Sequence, residues 1–427
     1  MPEASLYRRI LATLGFFTLT AGDLWRYLLT WWGWGAIVGI LLVLGIIELV
    51  RMRIDLRRLP ITLLAFLALI ALSTAWSVYP GATALGVVAT LVTTTFAVYL
   101  ATAMDLETML RCFGIALRWI LGLSLLFELV VAVVIQRHVL PFWVDYSGLQ
   151  KIPNAFYWSR DLLFHGGRIQ GIVGNSNLLA LVALFAVIVF GIQFAARTAS
   201  RAWLGFWGAV AIVTLALTRS STVLAALAAV VLVTLFIAIV RHFSGRKRLV
   251  VYLVGIVIAV AGIAAAIAAR GPLLHLIGKR GDLTHRTEIW SIVVSYADQR
   301  PAAGWGWVSY WAPWVYPFDK PLVKIGGVEY LQAHDAWIDI YLQLGIIGLI
   351  VFAALVLVTL GRSWLAAIDA SKGAGLVRLF PILILVALLV HSIAESRLLI
   401  EICFALLAIV AIRTSPGYRE LIRSGDD

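Results

Sequence analysis

Apolar runs of about 20 residues, the length that spans a bilayer as a helix, recur along almost the whole chain. They leave room for little besides a membrane fold. The runs are Ile10–Leu29 (broken near Gly22-Asp23), Trp34–Val50, Leu59–Ala75, Gly81–Met104, Leu110–Val134, Ile172–Ala196, Trp203–Leu217, Ser221–Ile239, Leu249–Ala268, Asp335–Leu360, Val377–Ala394 and Leu398–Ile412. Only 13% of residues are charged and 62% are hydrophobic, whereas a soluble domain carries roughly 25% charged residues. The expected fold is all-α: a polytopic integral membrane protein with about twelve transmembrane helices, forming one membrane domain over residues 1–427. The first run follows Arg8 and Arg9 as a signal peptide would, but Asp23, Trp25 and Arg26 follow it instead of a small-residue cleavage site. It reads as the first membrane helix.

The formal charge of +12 does not point to nucleic acid here, because the cations fall between apolar runs. Arg51–Arg58, Arg197–Arg201, Arg241–Arg248, Arg362–Arg378 and the tail with Arg413, Arg419 and Arg423 are basic, while Trp76–Pro80 carries no cation. Short loops rich in Lys and Arg stay in the cytoplasm, so both termini are expected inside. Two long connections, 135–171 and 269–333, then face outward. Loops of this length in a compact protein are usually functional. Cys112 and Cys403 lie far apart in or beside apolar runs, which argues against a disulfide framework or a cysteine metal site. The histidines show no metal-ligand spacing, and neither an Asp-x-Asp pair nor a Gly-rich phosphate loop after a strand occurs.

Five stretches carry chemistry, all on the expected outer side. Gln332–Gly348 opens an apolar run just after the longer loop. At a helix N-terminus the partial positive charge disfavours an imidazolium, so His334 suits a neutral general base; Asp335 or Gln332 are placed to orient its ring. The bland alternative is a histidine that anchors a helix end. Arg219, in Leu217–Thr222, sits between two runs joined by almost no loop. A charge at that depth usually faces a cavity or a partner, or else snorkels to the interface. Gly278–Trp290 carries Lys279, Arg280 and Arg286, a ligand-binding or merely solvated basic face. Arg168–Asn177 leads into a helix, with Asn177 a candidate cap. In Gly304-Trp-Gly-Trp307, Trp305 and Trp307 can offer indole faces to a sugar or belong to an interfacial aromatic belt. The chain holds 17 Trp.

Arginine grips phosphate bidentately and never deprotonates. A phosphate at the membrane surface belongs to a lipid, and aromatics with a wide loop fit a sugar chain. The combination suits an outward-facing transfer from a lipid diphosphate. Arg219 and Arg286 would stabilise the leaving group, and His334 would deprotonate the attacking hydroxyl. Arg168, Lys279, Arg280, Trp305, Trp307, Gln332 and Asp335 are the surrounding substrate-binding candidates.

At these residues the chain resembles the O-antigen ligase and polymerase superfamily of bacterial envelope glycosyltransferases. The carrying segments are Gly167–Asn177, Leu217–Thr222, Asp282–Trp290, Gly304–Trp307 and Gln332–Gly348, in the family's order from the fifth helix onward. The resemblance implies a GT-C-like helical fold, an undecaprenyl-diphosphate-linked glycan donor, and a glycolipid or glycan acceptor. It implies inverting transfer at the outer face of the bacterial cytoplasmic membrane, without metal or other cofactor. It also implies Arg219 and Arg286 at the diphosphate and His334 as base. The chain departs from the family pattern at Asp335, where Asn is frequent, and at His285, where Gly is frequent. A ligase and a polymerase of lipid-linked repeat units share donor and site and differ in acceptor. A lipid-glycan transporter is the competing class, although transporters usually carry matched halves and charges near the midplane.

Overall fold

The computed structural model describes residues 4–148, 152–268, 282–319, 324–325, 328–369, 375–418 and 421. Lys279 and Arg280 lie outside the described residues. Regular structure is almost all helical, as expected where lipid offers backbone groups no partners. The helices are α1 (Leu6–Thr20), α2 (Gly22–Arg51), α3 (Ile61–Leu72), α4 (Pro80–Thr102), α5 (Leu106–Val130), α6 (Ser176–Ala196), α7 (Arg201–Thr218), α8 (Ser221–His242), α9 (Gly245–Ala268), α10 (Asp282–Ala297), α11 (Ala336–Ile368), α12 (Phe380–Ser392) and α13 (Glu401–Arg413). A two-residue antiparallel pair, Lys324–Ile325 with Val328–Glu329, precedes α11. Among the described residues seven helices are long and apolar enough to cross a membrane: α2, α4, α5 with its terminal π turn, α6, α7, α8 and α11.

The first two apolar runs are interrupted close to where the sequence breaks them, near Gly22 and between Leu29 and Trp34. The chain breaks at Ala21, and α2 then runs from Gly22 through a kink at Thr30, where φ is 68°. Asp23 and Arg26 therefore lie inside a helix. Bare charges there would be costly, and they are paired. Arg26 bonds Asp23 at 2.6 Å and Glu401 at 3.1 Å, with its guanidinium 5.0 and 5.1 Å from the rings of Trp31 and Trp34.

Helices α6 and α13 form the centre. In α6, 78% of the apolar window is buried, and every residue from Ile402 to Ile412 of α13 is buried. Around them α7 packs on α6, α4 on α13, α5 on α1, α8 on α12, and both α3 and α10 on α11. The lateral surface exposes Ile40, Leu232, Val257 and Ile350, as a lipid-facing wall should.

The segment after α10 has a core of its own. Tyr79, Ile289, Val293, Trp305, Trp311, Phe318, Ala333 and Leu342 are buried together. Helix α11 breaks at Gly345 (φ 64°), and the Gly-Trp-Gly-Trp stretch fills the break. Trp305 and Gly306 donate their N–H groups to the Leu342 and Gln343 carbonyls at 3.0 and 2.9 Å, while Ile346 donates to the Pro301 carbonyl at 2.8 Å. Side by side, these bonds satisfy the helix groups that the break leaves unpaired.

Candidate functional site

The site lies where the N-termini of α6, α8 and α11, the α10 helix and the turn between α12 and α13 meet. Its centre is Glu395, in the short connection between the last two helices. The carboxylate is 5% exposed. Its Oε1 accepts from Asn177 Nδ2 at 2.8 Å and from an Arg286 terminal nitrogen at 3.3 Å. Its Oε2 lies 3.0 Å from His334 Nδ1. Three stretches scattered through the sequence thus converge on one acid.

Burial alone would raise a carboxyl pKa. At Glu395 the hydrogen bond from His334 and the Arg286 charge are among the influences that outweigh burial and hold it down at about 2. An ionised carboxylate only accepts. His334 Nδ1 therefore carries the proton and donates, which leaves Nε2 as the ring's acceptor. His334 is held in a left-handed backbone conformation, φ 54°, a state that costs roughly 1–3 kcal/mol and persists only where surroundings impose it. Asp335 caps α11, accepting from the Trp337 and Ile338 N–H groups at 2.8 and 3.0 Å. The ring is thus oriented by Glu395, in place of Asp335 or Gln332. No hydrogen bond of the Gln332 side chain is found among the described residues.

Asn175 caps α6, with Oδ1 accepting from the Asn177 and Leu178 N–H groups at 2.9 and 3.1 Å. Asn177, the expected cap, is thereby free to bridge. Its Oδ1 accepts from Arg168 and, at 3.1 Å, from Ser220 Oγ, while its Nδ2 reaches Glu395. Arg168 also donates from Nε to the Thr218 carbonyl at 3.0 Å, tying the loop to the end of α7. There Arg219 turns the chain into α8 with φ 49°. Its side chain is exposed, and among the described residues its guanidinium makes no ion pair or hydrogen bond. A β-carbon at Gly166 would lie 3.9 Å from one of its terminal nitrogens. The Arg286 side chain is 18% exposed.

Trp305 and Trp307 are buried, 5% and 0% exposed. Trp305 donates its indole N–H to the Tyr296 carbonyl at 2.9 Å, and Trp307 to Thr90 Oγ1 at 3.0 Å. Their faces are spent on packing; exposed aromatics in the segment that follows include Tyr310, Trp314 and Tyr316. Glu395 escaped the sequence reading although a signal existed. It lies in His391–Arg397, a short connection between two apolar runs, the same setting that singled out Arg219.

Among the described residues no group of three or more His, Cys, Asp or Glu side chains is placed to hold a metal ion. The geometry offers a carboxylate-oriented imidazole, one guanidinium without a partner among the described residues and one shared with the carboxylate, all at one end of a bundle of apolar helices.

Residues 206–353, from within α7 to the middle of α11, match the model of a protein family described as O-Antigen ligase. The resemblance read from the motifs is thereby borne out over the segment that carries Arg219, Arg286 and His334. No curated protein matches the chain.

Proposed function

Taking as premise a multi-pass membrane protein whose residues 206–353 match the O-antigen ligase family model, we propose that it transfers a preassembled glycan from undecaprenyl diphosphate to an acceptor hydroxyl. The site faces the outside of the bacterial cytoplasmic membrane, and the chain crosses that membrane about twelve times, each crossing needing about 20 residues. His334 Nε2 takes the proton of the acceptor hydroxyl, Glu395 holding Nδ1–H as it does so. The oxygen attacks the anomeric carbon, the bond to the diphosphate breaks, and configuration inverts. Arg219 and Arg286 receive the charge that develops on the departing diphosphate. Arg168 braces Asn177, and no metal takes part. Lys279, Arg280, Gln332 and Asp335 remain proposed contacts of the substrate or its loop.

The observation that carries this reading is the shared carboxylate. One acid binds both the proposed base and one of the proposed diphosphate arginines, so deprotonation and leaving-group stabilisation meet in one network. Purified His334→Ala should still bind the lipid-linked donor, yet lose transfer by about 100- to 10,000-fold, the usual contribution of a general base. A helix-anchoring histidine would instead lower thermal stability and leave the rate per folded molecule near that of wild type. Activity should survive exhaustive EDTA treatment; loss restored by magnesium or manganese would refute the metal-free mechanism. A finished glycolipid acceptor would make the protein a ligase and a lipid-linked repeat unit a polymerase, so assaying the two acceptors side by side separates these forms.

A further inference from the structure

Beside the catalytic network lies a polar cavity of about 210 Å³, lined by residues that include Asn154, Arg160, Arg168, Gln170, Asn175 and Asn177. It is smaller than the roughly 300–1,000 Å³ of pockets for drug-sized ligands, and fits one sugar-sized unit.

Its wall is ordered. Gln170 donates both amide hydrogens, to the Tyr157 and Gly174 carbonyls, each at 3.0 Å. That fixes Gln170 Oε1 towards Arg160, whose Nε donates to it at 3.1 Å. Among the described residues no hydrogen bond holds the terminal nitrogens of Arg160. The acid that acts on Arg160 electrostatically, Glu128, is already engaged by the N–H groups of Gln170 and Gly171, at 2.8 and 2.7 Å, and by Ser159 Oγ at 2.9 Å. The cavity thus presents a guanidinium locked by one nitrogen, a second guanidinium from Arg168, and several amides.

We infer that this cavity is a subsite for a sugar carrying an anionic group, a phosphate or carboxylate, on the acceptor glycan. The inference deepens the transfer reading and rests on it for the identity of the acceptor. The two sides of Asn177 differ in use. Towards Glu395 stand Arg286 and His334, assigned above to donor and chemistry. Towards Arg168 and Arg160 lies the cavity, placed for the molecule whose hydroxyl must reach His334. Arginine supplies the planar fork that phosphate and carboxylate require, and the amides supply donors and acceptors for ring hydroxyls.

The test uses the full chain in detergent, with glucose 6-phosphate, glucuronate, glucose and inorganic phosphate as probes in direct binding measurements. Glucose 6-phosphate or glucuronate should bind at least about tenfold more tightly than glucose or inorganic phosphate, since an ionic hydrogen bond adds to the amide contacts. Arg160→Gln should weaken the acidic sugars by about tenfold or more and leave glucose unchanged. Arg219→Ala should leave acidic-sugar binding intact, because that residue serves the donor. Equal binding of glucose and glucose 6-phosphate, or no effect of Arg160→Gln, overturns the subsite. So does loss of acidic-sugar binding in Arg219→Ala, which would make the ligand a mimic of the donor diphosphate. These readouts need no turnover, so a wild-type rate in His334→Ala would sink the mechanism and leave the subsite to be judged separately.

Discussion

At the residue scale the decisive feature is a buried acid that stays ionised. Glu395 does so because the His334 ring N–H, the Arg286 guanidinium and the Asn177 amide all donate to it. Glu395→Gln keeps the shape but not the charge, so it no longer enforces the Nδ1–H tautomer of His334. Transfer should fall by about 100-fold or more, with donor affinity changed far less; a rate within a factor of two of wild type would refute the orienting role. The pH dependence of stability follows from the same group. Its folded pKa, about 2, lies below the ordinary 4.5, so its stabilisation is complete above about 4.5 and fades as pH falls towards 2. The gap in melting temperature between wild type and Glu395→Gln should therefore narrow as pH falls below 4.5. At the two arginines charge is not enough: Lys keeps the cation but loses the fork. Arg219→Lys and Arg286→Lys should each lose a large part of the about 100- to 1,000-fold expected from losing a stabilising donor. Wild-type rates in both folded Arg→Ala proteins would eliminate the diphosphate role.

At the scale of elements, interrupted helices and anchored loops position the chemistry. Helix α5 offers Ser124 and Glu128, one turn apart, to three successive N–H groups of the loop: Gln170 and Gly171 to Glu128, Ile172 to Ser124 at 3.2 Å. That pins the strand of chain carrying Arg168. The break in α11 at Gly345 is matched as closely. A β-carbon there would fall 2.4 Å from the Ala302 backbone, and one at Gly304 would fall 2.4 Å from the Gln343 carbonyl carbon. Both glycines have positive φ. Gly345→Ala and Gly304→Ala should each lower stability by about 1–3 kcal/mol or more from backbone strain, whereas Gly39→Ala, with nothing within 4 Å, should leave it unchanged; equal melting temperatures for all three would refute the close fit. Hydropathy made the apolar helices legible, because lipid demands long uniform runs. Arg219 and His334 were legible because charges and imidazoles stand out at the ends of such runs, and Arg286 because it shares a basic segment of the longer outer loop with Lys279 and Arg280. The partners were not. Glu395 is 61 residues from His334 and 218 from Asn177, and no local pattern encodes a contact made by tertiary packing. The Gly-Trp-Gly-Trp stretch looked like an exposed turn because the helix break that it fills, at Gly345, lies far along the chain in another element.

Across the whole molecule, polar groups gather at two ends separated by apolar helix. At one end are Asn177, Arg219, His334 and Glu395. At the other, Arg8 pairs with Glu48 at 2.7 Å, Arg241 donates to the Ala367 carbonyl at 2.7 Å, and Arg413 to the Met104 carbonyl at 2.7 Å. Helix α8 joins the two ends: it starts beside Arg219 and finishes at His242, roughly 33 Å away at 1.5 Å per residue, close to the about 30 Å of hydrocarbon in a bilayer. The basic connection Arg241–Arg248 follows directly, and short basic loops are retained in the cytoplasm. The site end should therefore face outward, where a lipid-linked glycan is available after it has been moved across the membrane. This orientation is open to cysteine labelling with little background, since Cys112 and Cys403 are each 1% exposed. In intact cells a membrane-impermeant maleimide should label a cysteine at Gln299, which is exposed at the site end, and spare one at Ser244, exposed after α8. Permeabilisation should make Ser244→Cys reactive. The reverse pattern would turn the molecule over, place His334 in the cytoplasm, and refute transfer at the outer face whatever the rates of the site variants.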